Sequence, residues 1–600
     1  MKPSDSPAWL LSLDRSQPWR GVHPHGLSVA TGQRRWAAIR GRLYDTHTLV
    51  RELDAAEPAA SDPARLVLAG FERWGPGVLD RLRGVFVVAL GDEDAREVIV
   101  ARDPLGSHPL FRAETEDRHV FAESIHDVRS VVGVSTTLNR AALADHLCHR
   151  WPSPTETFFE AIYRIPPGCA ATIGSGALRV TRYWDPAMPG QPFRWTGDDV
   201  SERFPKVFAR AVDRCLDAGP AAIFLSGGLD SISVAACAAD RARERHDQVP
   251  WALSLAMPDP DCDERETQVA IASTLELPQR LVDFDEAVGP GGLIAAGIDL
   301  GRGLSSPLLN IWGPAYLSLA KRAAADGVRT VLSGSGGDEW LSVSPYLSAD
   351  LLARGDLRGW WQYFQSFKRS YQHPLWRHVS LTAWTFGARP LLSQALSRAM
   401  PQRWQRRRES RAAKNDPPWV APEPALRRVL RERSARSLEN VDPPQGFYLR
   451  EVRSGLDHAL TSWELEEQFE FGRRTELQFL HPYWDADVVD MLYRTPPRLL
   501  IEGGRAKGLV RRGLAQRFPE AGLGGQRKVA GTGFYRHLVA TQLPPAAATV
   551  GDCHCLADLG IITADAARGY LKPGFGSPTN RWDVISLETW VRANTQGAKL

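Results

Sequence analysis

Ala221-Ala222-Ile223-Phe224-Leu225-Ser226-Gly227-Gly228-Leu229-Asp230-Ser231 passes from a continuous apolar run into a turn of small residues. An uninterrupted run of this length reads as a strand buried on both faces, and such strands belong to parallel sheets. Before it, Phe204, Val207, Phe208, Ala211, Val212 and Cys215 fall at helical spacing. After it, a helical segment is expected from Ile232, a strand over Trp251 to Ala256, a helical segment from Asp263, and a helix from about Ala315 feeding a strand over Val328 to Leu332. Strands alternating with helices predict an α/β architecture, a parallel sheet flanked by helices. Beyond Trp340 the pattern is mostly helical.

The chain has 600 residues, 43% of them hydrophobic and 24% charged, with a formal net charge of +3. That length predicts at least two domains, and so small a charge excess gives no reason to expect nucleic acid or a membrane as partner. No run approaches the ~18 apolar residues of a spanning helix, so a cytoplasmic protein is expected. Seven scattered cysteines make no disulfide framework. Cys553-His554-Cys555 reads as a surface loop rather than a metal site, its spacing being too tight for zinc.

From Trp36 to about Tyr183, short apolar runs such as Val85 to Leu90 and Val98 to Ala101 alternate with Gly, Pro and Asp, the pattern of a mostly stranded domain. The Pro- and Gly-containing stretch after Trp184 marks an interdomain linker. The expected organisation is an amino-terminal domain over 1–183, a linker over 184–200, and a second domain over 201–600 that carries a basic helical or loop insert at about 398–418. That insert, Arg403 through Lys414, reads first as a solvated helix and loop and second as a contact surface for an acidic partner or substrate.

A buried strand that ends in Ser-Gly-Gly-x-Asp-Ser before a helix gathers backbone amides, two hydroxyls and the positive end of the helix at one point. That is an anion cradle. A carboxylate there would repel a phosphate unless a divalent cation bridged the two, so Asp230 implies Mg²⁺.

The hexamer Ser226–Ser231 resembles the pyrophosphate loop of the asparagine synthetase family, and Leu332-Ser333-Gly334-Ser335-Gly336-Gly337-Asp338-Glu339 is similar to that family's second signature. Trp251-Ala252-Leu253-Ser254-Leu255 with Asp263-Glu264, His481-Pro482-Tyr483-Trp484-Asp485, Lys507 with Arg511 and Arg512, and Gln526-Arg527-Lys528 extend the likeness. The resemblance implies a PP-loop ATP-pyrophosphatase domain with a helical carboxyl-terminal part, using ATP and Mg²⁺ to make an acyl-adenylate. It assigns Asp230 and Asp338 as metal ligands and Lys528 as the catalytic cation near the pyrophosphate. It also implies a nucleotide site made by Phe224, Leu225, Ser226, Gly227, Gly228, Leu229, Asp230 and Ser231 with Leu255, Ser333 and Gly334.

Gly41 to Asp45, Ala101 to Phe111 and Arg164 to Gly168 likewise resemble the family's glutaminase domain, an Ntn-type, β-sandwich-like α+β fold. Its chemistry is expected to be lost. Lys2 follows Met1 where an amino-terminal cysteine nucleophile is needed, and Arg40 stands in place of the oxyanion asparagine. The amine then comes from the substrate or a second substrate, as in relatives that close β-lactam rings or lasso-peptide macrolactams. The alternative is free ammonia, making a simple amide such as asparagine. A small-molecule or peptide carboxylate and an amine are the expected partners, with room for a carrier or biosynthetic partner protein; an inactive scaffold is the outside reading. Ser335 occupies the position of the family's base, and a serine hydroxyl does not suit that task, so the base stays unassigned.

Overall fold

The computed structural model describes residues 9–19, 23–54, 62–174, 178–188, 193–400, 416–437, 446–526, 531–572 and 575–595. The basic run 403–414 and Lys528 both lie outside them.

Residues up to Arg182 build two antiparallel sheets. One orders the strands His23–His25, Leu10–Asp14, Arg118–Ala122, Phe111–Glu114 and Tyr163–Arg164; the other orders Arg179–Arg182, Cys169–Ile173, Glu97–Arg102, Gly84–Asp92, Arg35–Leu43 and Ser28–Thr31. Leu11, Leu13, Ala38, Val87, Val100 and Phe121 meet in one core between them, the alternate-residue burial that sheet-on-sheet packing requires. The helix Pro63–Trp74 covers the outer face of the six-stranded sheet and contributes Leu66, Val67 and Phe71 to a second core. The domain is therefore a sandwich with helices at its flanks.

The second domain is centred on a five-stranded parallel sheet, ordered Gln279–Asp283, Trp251–Ala256, Ala221–Phe224, Thr330–Leu332, Gln478–Leu480. The chain builds outward from the central strand on one side, then crosses to its other side with Thr330–Leu332. Order reversal of that kind opens a crevice between two strand ends, the place where such sheets bind ligands. The helices Val200–Leu216 and Leu229–Glu244 pack together on the sheet through Phe204, Phe208, Val212, Ile232 and Ala235.

Several elements differ from the sequence reading. The helix after the loop starts at Leu229 rather than Ile232, which places Asp230 in its first turn. Thr330–Leu332 is shorter than expected, and Gln478–Leu480 adds a strand inside the part read as helical. Cys553 is no surface residue: it is fully buried at the start of the helix His554–Asp558. Among the described residues no helix is long and apolar enough to cross a membrane.

Buried arginines join the domains. Arg214, 3% exposed, pairs with Asp45 of the sandwich and with Asp485 (2.6 Å) and Asp487 (2.7 Å) behind the parallel sheet. Arg164 forks onto Glu466 at 2.6 and 2.8 Å, and Arg102 reaches the same carboxylate at 3.2 Å. Leu143 and Phe158 share a core with Trp463 and Trp590, so apolar burial crosses the same boundary. Removing one member of a buried charge cluster strands the others in low dielectric. Arg214→Ala should therefore lower stability by about 3–5 kcal/mol, read as an earlier urea midpoint by circular dichroism; an unchanged midpoint would show that the cluster does not hold the domains together.

Candidate active site

Two loops leave adjacent strand ends and meet in the crevice. Ile223 pairs with Leu332, so the loop from Ser226 and the loop from Ser333 emerge side by side. The contact is close because it is made through glycines. A Cβ on Gly334 would lie 2.6 Å from the Ser231 amide nitrogen, and one on Gly337 would collide with the Asp230 carboxyl group. Gly336 takes φ 94°, a left-handed turn that starts the helix Gly337–Leu341 and puts Asp338 in its first turn. Asp230 and Asp338 thus face one another from two short paths of chain.

Lys507 joins them. Its ammonium contacts Asp230 and lies 2.7 Å from Asp338. Burial pulls the ammonium toward its neutral form, but the two carboxylates more than offset this and hold its pKa above the ordinary lysine value. Lys507 itself adopts φ 63°, a strained conformation for a non-glycine residue. The sequence reading gave the cation's role to Lys528 and only grouped Lys507 with Arg511 and Arg512. Arg511 lines the same cavity, whereas Arg512 is exposed and pairs with Glu502.

Three of the loop amides, expected to be open, already have partners. Ser226 N–H donates to the Ser231 hydroxyl at 3.1 Å, Gly228 N–H to the Ser226 hydroxyl at 3.2 Å, and Gly227 N–H to Glu264 at 2.9 Å. Gln526 adds a bond to the Gly227 carbonyl at 2.6 Å. An anion entering the cradle has to replace these partners, and the one that costs most to leave is Glu264, a carboxylate whose pKa burial raises. Ser333 is fixed from below by His481 Nδ1 at 2.8 Å, and burial pushes that imidazole down to about 4, so it stays neutral.

A cavity of about 970 Å³ opens over these loops. Its loop end is lined by Ser226, Asp230, Ser333, Asp338, Lys507 and Arg511; beside them Phe224, Leu225, Leu255 and Met257 supply an apolar wall, and Gly228, Leu229, Ser231 and Gly334 also face it. Gly227 is the one residue of the sequence-predicted nucleotide site that does not line the cavity. Glu464, on the helix Ala459–Thr475, lines it together with Ser335. Burial and the neighbouring Glu339 push the Glu464 carboxyl up to about 7. No motif marked this residue, because its place depends on a helix more than a hundred positions from the loops.

The amino-terminal domain holds no primed thiol. Burial pushes up all seven cysteines, Cys148 and Cys237 to about 12. Arg40, within the strand Arg35–Leu43, lies 3.9 Å from buried Glu123, which holds His108 at 2.8 Å. Near the carboxyl end, His554, Cys555 and Glu588 come close together, but Glu588 is already committed to the amides of Cys555 and Leu556 and to Arg592 at 2.6 Å. A cation there would compete with Arg592.

Comparison with known proteins follows this geometry. The asparagine synthase family pattern matches residues 203–592, well over half of the chain, and a glutamine amidotransferase domain pattern matches residues 26–184. A putative glutamine-hydrolysing asparagine synthetase of Mycobacterium tuberculosis is 31% identical over 315 residues, covering 50% of this chain and 46% of its own. The amidase chyE of Penicillium rubens is 27% identical over 362 residues, 58% of this chain and 51% of its own. The carboxyethyl-arginine beta-lactam-synthase of Streptomyces clavuligerus is 28% identical over 226 residues, 35% of this chain and 38% of its own. The chain thus spans about half the length, or less, of these curated relatives.

Since Gly334 touches the Asp230 turn with no side chain between, Gly334→Ala should push the two loops apart. Calorimetric titration with magnesium pyrophosphate should then give affinity about tenfold weaker or worse, ~1.4 kcal/mol. Affinity equal to wild type would mean that the loop contact does not shape the anion site.

Proposed function

This chain belongs to the asparagine synthase family, and from that premise we propose that it is an ATP-dependent amide-forming ligase that adenylates a substrate carboxylate and passes the acyl group to an amine. The observation that carries the reading is the convergence of Asp230, Asp338 and Lys507 at the mouth of an anion-binding loop. Two carboxylates alone would repel a polyphosphate. Converging on one cation, as they already do on the Lys507 ammonium, they fit a magnesium ion, which prefers carboxylate and phosphate oxygens. Bound between them, Mg²⁺ would neutralise charge on the departing pyrophosphate.

The chain's own residues carry the rest. The loop Ser226–Ser231 and the first turn of its helix hold the pyrophosphate end of ATP, with Ser226 and Ser231 exchanging their mutual bond (2.9 Å) for phosphate oxygens. Lys507, and Lys528 by its family position, place positive charge where the leaving group gains negative charge. Leu225 and Leu255 supply an apolar wall for adenine. The carboxylate attacks the α-phosphorus, the bond to the β-phosphate oxygen breaks, and pyrophosphate leaves. An amine then adds to the acyl carbon, its surplus proton passes to a base, and AMP leaves.

Glu464 is the base that Ser335 cannot be: it lines the same cavity, and a carboxyl raised to about 7 balances basicity against availability near neutral pH. Glutamine hydrolysis within this chain is not the expected source of the amine, because burial raises the pKa of every cysteine thiol and Arg40 stands where the family pattern carries its oxyanion asparagine. A tethered amine, in the substrate or a second substrate, is the preferred source, as in lactam and macrolactam formation. Ammonia-dependent asparagine formation is the second reading; the Mycobacterium tuberculosis relative favours asparagine as the product, although that relative is described as glutamine-hydrolysing.

Purified protein with ATP, Mg²⁺ and a panel of carboxylates and amines, aspartate with ammonia included, should yield AMP and pyrophosphate. Asp230→Asn should abolish turnover, and glutamine should support no more product than an amine-free control; ADP and phosphate would contradict the reading. Glu464 is protonated below its pKa and basic above it, so kcat should fall as pH drops below about 7. Glu464→Gln should cost about 10²–10⁴-fold in kcat and flatten that limb. An unaltered pH profile in the variant would remove Glu464 from the mechanism.

A further inference from the structure

The cavity does not end at the nucleotide loops. It continues to a far wall built by the amino-terminal domain and the carboxyl-terminal helices together: His146, His149 and Trp151 on one side, Tyr535, Trp582 and Asp583 on the other. The helix Arg140–Leu147 delivers His146, and the chain turns at once through His149, whose φ of 51° is a strained left-handed conformation. The helix Pro578–Thr595 delivers Trp582 and Asp583 one after the other.

Three polar atoms of this wall have no hydrogen-bond partner: Asp583 Oδ2, His146 Nδ1 and Trp151 Nε1. Asp583 is 9% exposed and His146 7%. Buried polar groups are almost always satisfied, so several unsatisfied ones gathered at one cavity wall point to a ligand that completes them. His149 Nε2 stands 3.5 Å from Asp583 Oδ2 and 3.4 Å from the Asn580 amide, too far to satisfy the carboxylate fully. Burial also favours the uncharged form of each: it pushes Asp583 up to about 8, His149 down, and His146, with help from His149, down to about 3.

The charge arrangement selects the ligand. Lys507 and Arg511 are the Lys and Arg side chains among the described residues that line the cavity, and both sit at the loop end. The far end offers the Asp583 carboxylic acid together with the Trp151 and Trp582 rings. An anion would face Asp583 unaided, whereas a cation would turn that acid into a paired carboxylate and gain ring faces as well.

We propose that this far end recognises an ammonium or guanidinium group carried by the substrate at a distance from its reacting carboxylate, with Asp583 as counter-charge and Trp151 and Trp582 as aromatic walls. The degenerate amidotransferase-like domain would then serve as part of the substrate pocket. The assignment of the cation to the acyl substrate rests on the ligase reading; the binding site itself does not.

Agmatine, a guanidinium, and 1,5-diaminopentane, an ammonium, are suitable probes for calorimetric titration of the full chain, with neutral N-butylurea as comparison. At least one cation should bind, N-butylurea should bind about tenfold more weakly or not at all, and Asp583→Asn should weaken the cation about tenfold with unfolding temperature and circular dichroism unchanged. Should Asp583→Asn not fold, Trp151→Leu carries the same expectation. Asp230→Asn should keep the cation's affinity while losing that for magnesium pyrophosphate, separating the two ends of the cavity. No cation binding by the wild type, equal binding of N-butylurea, or undiminished cation binding in a folded wall variant would each overturn the proposal. Cation binding without AMP formation from any carboxylate would overturn the ligase reading and leave this site standing.

Discussion

Everything chemical in this molecule depends on two parallel strands, Ala221–Phe224 and Thr330–Leu332, lying next to each other although the chain visits two other strands between them. That order leaves both carboxyl ends free at one crevice, and each end runs into a loop of glycines and a short helix. Bulkier residues at Gly334 or Gly337 would force the loops apart, and Asp230 and Asp338 would no longer share a cation. Like charges brought that close need compensation. Lys507 supplies it from a strained backbone at the start of a distant helix, which ties the helical tail to the sheet.

The amino-terminal sandwich is bound to this centre by ion pairs built around buried arginines. Arg214 draws Asp45, Asp485 and Asp487 together, while Arg164 and Arg102 converge on Glu466, on the same helix that presents Glu464 to the cavity. Such clusters are costly to assemble and costlier to break, so the domain keeps its place whatever its own chemistry. It presents His146, His149 and Trp151 to the cavity, and burial raises the pKa of its two cysteines, buried Cys169 and half-buried Cys148. The domain that matches the glutamine amidotransferase pattern thus supplies part of the cavity wall.

The central strand was legible because its apolar run is continuous and ends at small-residue breakers, and Trp251–Ala256 because only Ser254 interrupts an apolar run lying between Pro250 and Pro258. The five-residue strand Gln279–Asp283, at a sheet edge, has only Leu281 and Val282 between polar residues, and the three residues Gln478–Leu480 carry too short a pattern to stand out from helices on either side. Leu229 and Asp230 looked like turn because small residues precede them, yet their amides begin the helix. At the site, Asp230 was legible from the small-residue turn around it, and Asp338 from the resemblance of its segment to the family's second signature. The bridging role of Lys507 and the position of Glu464 were not, since each arises from helices packed across the sheet and not from local spacing. Cys553 looked like loop because a Cys-His-Cys run has no periodicity, while its burial comes from the helix Pro578–Thr595 packing over it.

The central claim is that the substrate carboxylate itself attacks the α-phosphorus of ATP at the loop held by Asp230, Asp338 and Lys507. Labelling a turnover-supporting carboxylate with oxygen-18 and analysing the nucleotide product by mass spectrometry tests it directly. One labelled oxygen should appear in the phosphate of AMP, because the acyl–oxygen bond breaks when the amine displaces the nucleotide. Unlabelled AMP, or label recovered in inorganic phosphate beside ADP, would contradict the account.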